Sequence, residues 1–214
     1  MPIFFSGTPL ALARLPQNDF YILDLEYTSW QGAAERCWGG SEEYREIVEI
    51  GILKCTFSGK KIVVSDHFSK LVVPKINPVL SSYFCELTGI KQNNIEDEGR
   101  AFDEVEPEVA NFLSTVEAQI LVNGNDLHVL KDNYFLNNIE FPEYFSRVFD
   151  FSRFLQKITG FKREVLYSAN LRNLFPLKDR ADLTSVPIEE HRALADCYSI
   201  LHFIIFCFKN EQIS

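Results

Sequence analysis

The run Phe20-Tyr-Ile-Leu-Asp-Leu25 is apolar at successive positions until it meets carboxylates at Asp24 and Glu26. Successive strand residues point to opposite faces, so such a run predicts a strand buried on both sides, in the middle of a helix-covered sheet. Glu46 to Phe57 alternates apolar and polar residues, and Lys61 to Val73 returns after the turn chemistry of Ser58-Gly59-Lys60, a hairpin ended by Pro74 and Pro78. A short helix over Val79–Leu87 is closed by Thr88-Gly89. Phe102, Val105, Val109, Phe112, Leu113 and Val116 recur at helical spacing as one buried stripe. Strands are expected at Gln119–Val122 and Phe145–Asp150, and helices at Leu127–Asn133, Phe151–Ile158 and Glu189–Phe208, with irregular chain holding one short helix over 159–188. The order of strand, hairpin, helix, strand, helix, strand, helix, helix is that of an α/β fold, a mixed sheet with helices packed on it.

With 214 residues, 46% hydrophobic and 24% charged, the chain has the make-up of a packed globular protein and excludes disordered or collagen-like classes. No linker divides it, so a single domain over 1–214, with its core at about 18–208, is expected. The tract Ile200–Phe208 is too short for the ~20 residues that span a bilayer and reads as a core helix. The amino terminus lacks the pattern of a signal peptide, and five cysteines without a CxxC pair suit a reduced, cytoplasmic setting.

A net charge of -9 argues against a broadly basic surface for nucleic acid. The charge is uneven, however: residues 96–108 carry seven acids and one Arg, read as a solvated face, whereas Arg147 to Arg180 is net +5. That stretch is a candidate path for a polyanionic strand.

Asp24 and Glu26 lie two apart on a strand and project together at its carboxyl end, where α/β sheets place ligands. Two carboxylates there make an oxygen-rich cation site. Asp126 follows the strand Gln119–Val122 in Asn123-Gly-Asn-Asp126, a position also suited to an N-cap. His191-Arg-Ala-Leu-Ala-Asp196 opens the last helix. Within one helix His191 and Asp196 would sit ~140° apart, so sharing a site requires His191 at or before the first turn.

The order Asp24, Glu26, Asp126, His191, Asp196 resembles the DEDDh 3′–5′ exonuclease superfamily, and the surrounding residues resemble its Eri-type branch. Asp24-Leu-Glu-Tyr-Thr28 matches the branch's first motif, Glu46-Ile-Val-Glu-Ile-Gly51 its next strand, Phe84-Cys-Glu-Leu-Thr-Gly-Ile90 with Gln92 a further segment, and His191–Asp196 its last motif. Two features depart from the pattern. Asn123-Gly-Asn125 stands where an aromatic residue and a Gly usually precede the second-motif Asp, and the insert Ser29–Tyr44, with Trp30 and Trp38, is long.

The resemblance implies a ribonuclease H-like mixed five-stranded sheet flanked by helices. It implies hydrolysis at the 3′ end of single-stranded RNA or short oligonucleotides, releasing nucleoside 5′-monophosphates. Two Mg²⁺ or Mn²⁺ ions would be held by Asp24, Glu26, Asp126 and Asp196, with His191 as general base. Tyr27, Thr28, Trp30 and Phe84 are the expected substrate contacts, although core is the stronger claim on Phe84. The competing class is a non-catalytic nucleic-acid-binding or regulatory protein on the same fold.

Overall fold

A computed structural model describes residues 18–58, 61–114, 117–162, 166–176 and 191–211. Strand β1 (Phe20–Tyr27) pairs antiparallel with β2 (Ile47–Ser58), and β2 with β3 (Lys61–Leu71). On its other edge β1 pairs in parallel with β4 (Gln119–Val122), which pairs in parallel with β5 (Val148–Asp150). The sheet is therefore five-stranded and mixed, in the order β3-β2-β1-β4-β5. The strand expected to be buried on both sides is at its centre.

Parity along β1 sorts the core into two layers. Phe20 and Ile22 pack with α5 (Phe151–Thr159), α6 (Leu171–Leu174) and the long closing helix α7 (Ala193–Glu211). Tyr21, Leu23 and Leu25 pack instead against α3 (Phe102–Phe112) and α4 (Asp126–Leu136). Two short helices, α1 (Ser82–Thr88) and α2 (Gln92–Glu98), close a smaller cluster around Val48, Phe84 and Ile95. Helix α1 is bounded by Ser81, whose hydroxyl accepts the Phe84 N–H, and by Gly89 at φ 72°, a left-handed cap that glycine adopts without strain.

Several boundaries differ from expectation. The stretch expected to be a strand from Phe145 begins as a 3₁₀ turn, Glu143–Arg147, so β5 is only three residues long. The turn is held by Arg147, whose guanidinium donates to the carbonyls of Leu113, Ala118 and Tyr144. Arg147 is thus committed to the fold, which corrects its place in a cationic strand path; Arg163, Lys178 and Arg180 lie outside the described residues. Helix α1 begins at Ser82 rather than Val79, because Ser81 supplies the cap. Helix α7 begins at Ala193, leaving His191 ahead of it; Glu189, Val116 and the hairpin turn Gly59-Lys60 also lie outside the described residues. Among the described residues no helix is long and apolar enough to cross a membrane.

Candidate active site

The even-numbered face of β1 that carries Phe20 and Ile22 next presents Asp24 and Glu26, and α7 lies over that face. Asp196, in the first turn of α7, meets them there. One carboxylate oxygen from each of Asp24, Glu26 and Asp196 lies within 4.8 Å of the others. Because β1 and β4 run in parallel, the turn after β4 reaches the same end of the sheet and brings Asp126, the first residue of α4.

Three of these acids are nearly closed off from solvent: Asp24 is 6% exposed, Asp126 5% and Asp196 7%. Their crowding shows in their acidity. Burial raises the Asp24 carboxyl well above the usual carboxylate range, and the charges of Asp126, Asp196 and Glu26 raise it further. Glu26 is raised in the same way, first by burial and then by Asp196 and Glu49. Asp126 is pushed up to about 8, by burial and then by Asp196. Its Oδ2 is buried and receives no hydrogen bond from any described residue. Hard oxygen donors, unrelieved negative charge and an unsatisfied buried carboxylate oxygen together suit one or more divalent cations of the Mg²⁺ class.

The apposition of α7 to the sheet rests on residues whose roles were not legible in the sequence. Glu49 on β2 faces Glu26 across the ladder and is buried. It accepts hydrogen bonds from the Arg192 guanidinium at 2.7–3.2 Å and from the Ala193 N–H at 2.9 Å, pinning the amino end of α7. An anion there also suits the positive end of the helix dipole. Gly51, opposite Asp24, lets that end come close: a Cβ on it would lie 2.5 Å from the Leu194 nitrogen and 2.8 Å from the Ala193 carbonyl oxygen. Glycine inside a strand pattern is the sequence signal for such an approach.

His191 precedes α7 with a left-handed backbone, φ 57°, and is half-buried. It is outside the helix, as sharing the site requires, but it is not one of the three residues whose ligand atoms cluster.

The expected substrate contacts separate. Phe84 is 1% exposed among Val48, Leu80 and Ile90, so it is core. Thr28 is also buried, its hydroxyl donating to the Tyr44 carbonyl and accepting the Glu46 N–H; both side chains are thereby removed from a substrate surface. Tyr27 and Trp30 are half-buried. The Tyr27 ring packs on Trp38 at 5.6 Å between centroids, and Trp38 donates its indole N–H to the Thr28 carbonyl, so the 29–44 insert folds back on the end of β1. Tyr167, one of the exposed aromatic residues at 58% accessible, precedes in sequence Ser168, whose hydroxyl bonds to Asp24 Oδ1 at 3.2 Å.

Comparison with known proteins places this geometry. The family model RNase_T, described as exonuclease, matches residues 21–203. No curated protein matches the sequence significantly. The nuclease domain of 3′hExo, a DEDDh family member solved with rAMP, is similar in fold, with a TM-score of 0.69 at 18% identity over 92% of this chain and 93% of that one. A 3′-exonuclease solved for its recognition of the histone mRNA stem-loop gives 0.71 at 19% identity, covering 90% of this chain and 64% of its own, so this chain spans about two thirds of it. Cell-death related nuclease 4 gives 0.62 at 19% identity, over 92% of this chain and 65% of that one.

Proposed function

The chain belongs to the RNase_T exonuclease family, and from that premise we propose that it removes nucleotides from the 3′ end of single-stranded nucleic acid, RNA in preference to DNA. The convergence of Asp24, Glu26 and Asp196 within 4.8 Å carries the reading. Asp24, Glu26 and Asp196 are the residues to hold one cation, and Asp126, through its unsatisfied Oδ2, the residue to hold a second. Bound Mg²⁺ or Mn²⁺ would supply Lewis acidity toward the scissile phosphate and toward water.

The chain's own residues then divide the remaining tasks. The four acids orient the reacting phosphate by fixing where positive charge can sit. His191 is assigned the general base, since imidazole is the side chain best suited to take a proton from the attacking water near neutral pH. Its position ahead of the helix frees the ring to turn toward the sheet end. Tyr167 offers a ring to a terminal base, since stacking grips a strand end without reading its sequence. RNA preference is supported by the Eri-type motifs Asp24–Thr28 and Phe84–Ile90.

The test is product analysis with 5′-labelled single-stranded RNA and DNA of one sequence, with free and blocked 3′ ends. Expected is stepwise shortening from the free 3′ end in Mg²⁺ or Mn²⁺, faster on RNA, with nucleoside 5′-monophosphates released. Asp24→Ala and Asp196→Ala should abolish it with the fold retained. Binding without turnover would instead identify a non-catalytic member of the fold.

A further inference from the structure

The turn Asn123-Gly-Asn125 departs from the family pattern, and the structure gives its first residue a second task. The Asn123 side-chain amide donates to the Leu166 carbonyl at 3.0 Å and to Ser168 Oγ at 3.1 Å. Ser168, itself buried, reaches Asp24 Oδ1 at 3.2 Å. These bonds have a fixed direction. A peptide carbonyl only accepts, so Leu166 dictates that the nitrogen of the Asn123 amide faces this segment. Ser168 therefore accepts from Asn123, and its single hydroxyl proton is left for Asp24. Asn123, just after β4, thus reaches the acidic site through Ser168 at Asp24.

We propose that Asn123 and Ser168 are positioning residues for the cation site: the relay holds the Asp24 carboxylate in one orientation as a hydrogen-bond acceptor, ready to ligate a divalent ion. The inference rests on reading the acid cluster as a cation site. Hydrogen-bond partners behind metal-ligating carboxylates fix ligand geometry, and their loss costs about 10–100-fold in metal affinity.

The experiment is titration of the full chain with Mn²⁺ alone, without nucleic acid, followed by electron paramagnetic resonance of the free ion. Ser168→Ala should raise the Mn²⁺ dissociation constant about 10–100-fold, and Ser168→Thr should stay near the wild-type value. Asn123→Ala should weaken binding less than Ser168→Ala, and should add nothing in the Ser168→Ala background, because both act through one hydrogen bond. Melting temperatures in chelator report whether each variant folds. Should Ser168→Ala fold poorly, the near-isosteric pair Ser168→Thr and Ser168→Val isolates the hydroxyl, Thr binding and Val not. Wild-type protein that binds Mn²⁺, with Ser168→Ala or Ser168→Val binding equally well, overturns the relay and leaves the cation site standing. Wild-type protein that binds no Mn²⁺ overturns both.

Discussion

Replacing Gly51 by Ala tests how the acidic site is assembled. The added methyl would lie 2.5 Å from the Leu194 nitrogen and 2.8 Å from the Ala193 carbonyl oxygen, both main-chain atoms that no rotamer change can move. Ordinary contacts between such atoms are ~3.5 Å, so the first turn of α7 must retreat by about 1 Å. Overpacking of this kind costs about 1–3 kcal/mol, which for a chain of this length lowers the melting temperature by roughly 2–12 °C. Asp196 sits in that same first turn, and a 1 Å displacement of a group at the chemistry costs on the order of 100-fold in turnover. Gly89→Ala is the control. Gly89 has φ 72° with no atom within 4 Å of a built Cβ, so Ala there costs about 1–2 kcal/mol through backbone strain alone. Thermal melts, Mn²⁺ titration and 3′-end turnover on both variants separate the effects. Both should lose stability, and only Gly51→Ala should lose Mn²⁺ affinity and turnover. A Gly51→Ala protein that melts and binds Mn²⁺ like wild type would show that α7 is not held against β2 as described.

The raised carboxyls make a pH prediction. Asp126 keeps its proton up to about 8 in the folded chain but loses it near 3.8 when unfolded, so the folded state binds more protons in between. Metal-free stability should therefore fall as pH rises through that window, seen as a declining melting temperature in chelator from pH 5 to 8. Asp126→Asn should flatten that decline and melt higher than wild type at pH 8; a variant that melts lower would refute it. His191→Ala should cut kcat by about 100-fold or more with KM little changed, as removal of a general base requires. A loss confined to KM would take His191 out of the proton transfer. Tyr167→Ala should raise KM on short RNA by about tenfold, the worth of one stacked base, and leave Mn²⁺ affinity unchanged. An unaltered KM would remove Tyr167 from the substrate path.

The sheet was legible in the sequence because its pattern is local. A run apolar at every position must be central, and the alternation from Glu46 with its return after Ser58-Gly59-Lys60 marks a hairpin, so β1, β2 and β3 follow from spacing alone, although β2 is buried on both faces over 47–53 where its alternation suggested one. Asp24 and Glu26 share a strand face by parity, whereas Asp196 joined them in the sequence only through the resemblance of the whole motif set; in the structure it lies on the helix packed over that face. What spacing could not deliver were partners far apart in sequence. Glu49 and Arg192 look like two surface charges until 143 residues of chain return α7 to β2. Ser168 lay in the stretch read as irregular, yet it is 144 residues from the carboxylate it touches. Arg147 misled through composition, since a count of cations cannot tell a free guanidinium from one holding three carbonyls.

The buried acids themselves sort function from scaffold. The Glu46 carboxylate accepts the main-chain N–H groups of Lys75, Ile76 and Asn77 at 2.6–2.7 Å, and Glu49 takes Arg192 and the end of α7. Each offsets its desolvation with several donors, as a buried charge must if stability is the demand. A few ångströms away the same fold sets Asp24, Glu26 and Asp126 against one another, with their carboxyls pushed upward and Asp126 Oδ2 left without a donor. Local chemistry does not force this neglect, because Glu49 on the neighbouring strand shows that donors can be brought to the same end of the sheet. A site left electrostatically incomplete, between carboxylates that are fully satisfied, is one whose missing component is positive charge supplied from outside the chain. The net charge of -9 is then no argument against a polyanionic substrate, since four of those charges are expected to face cations when the strand end arrives.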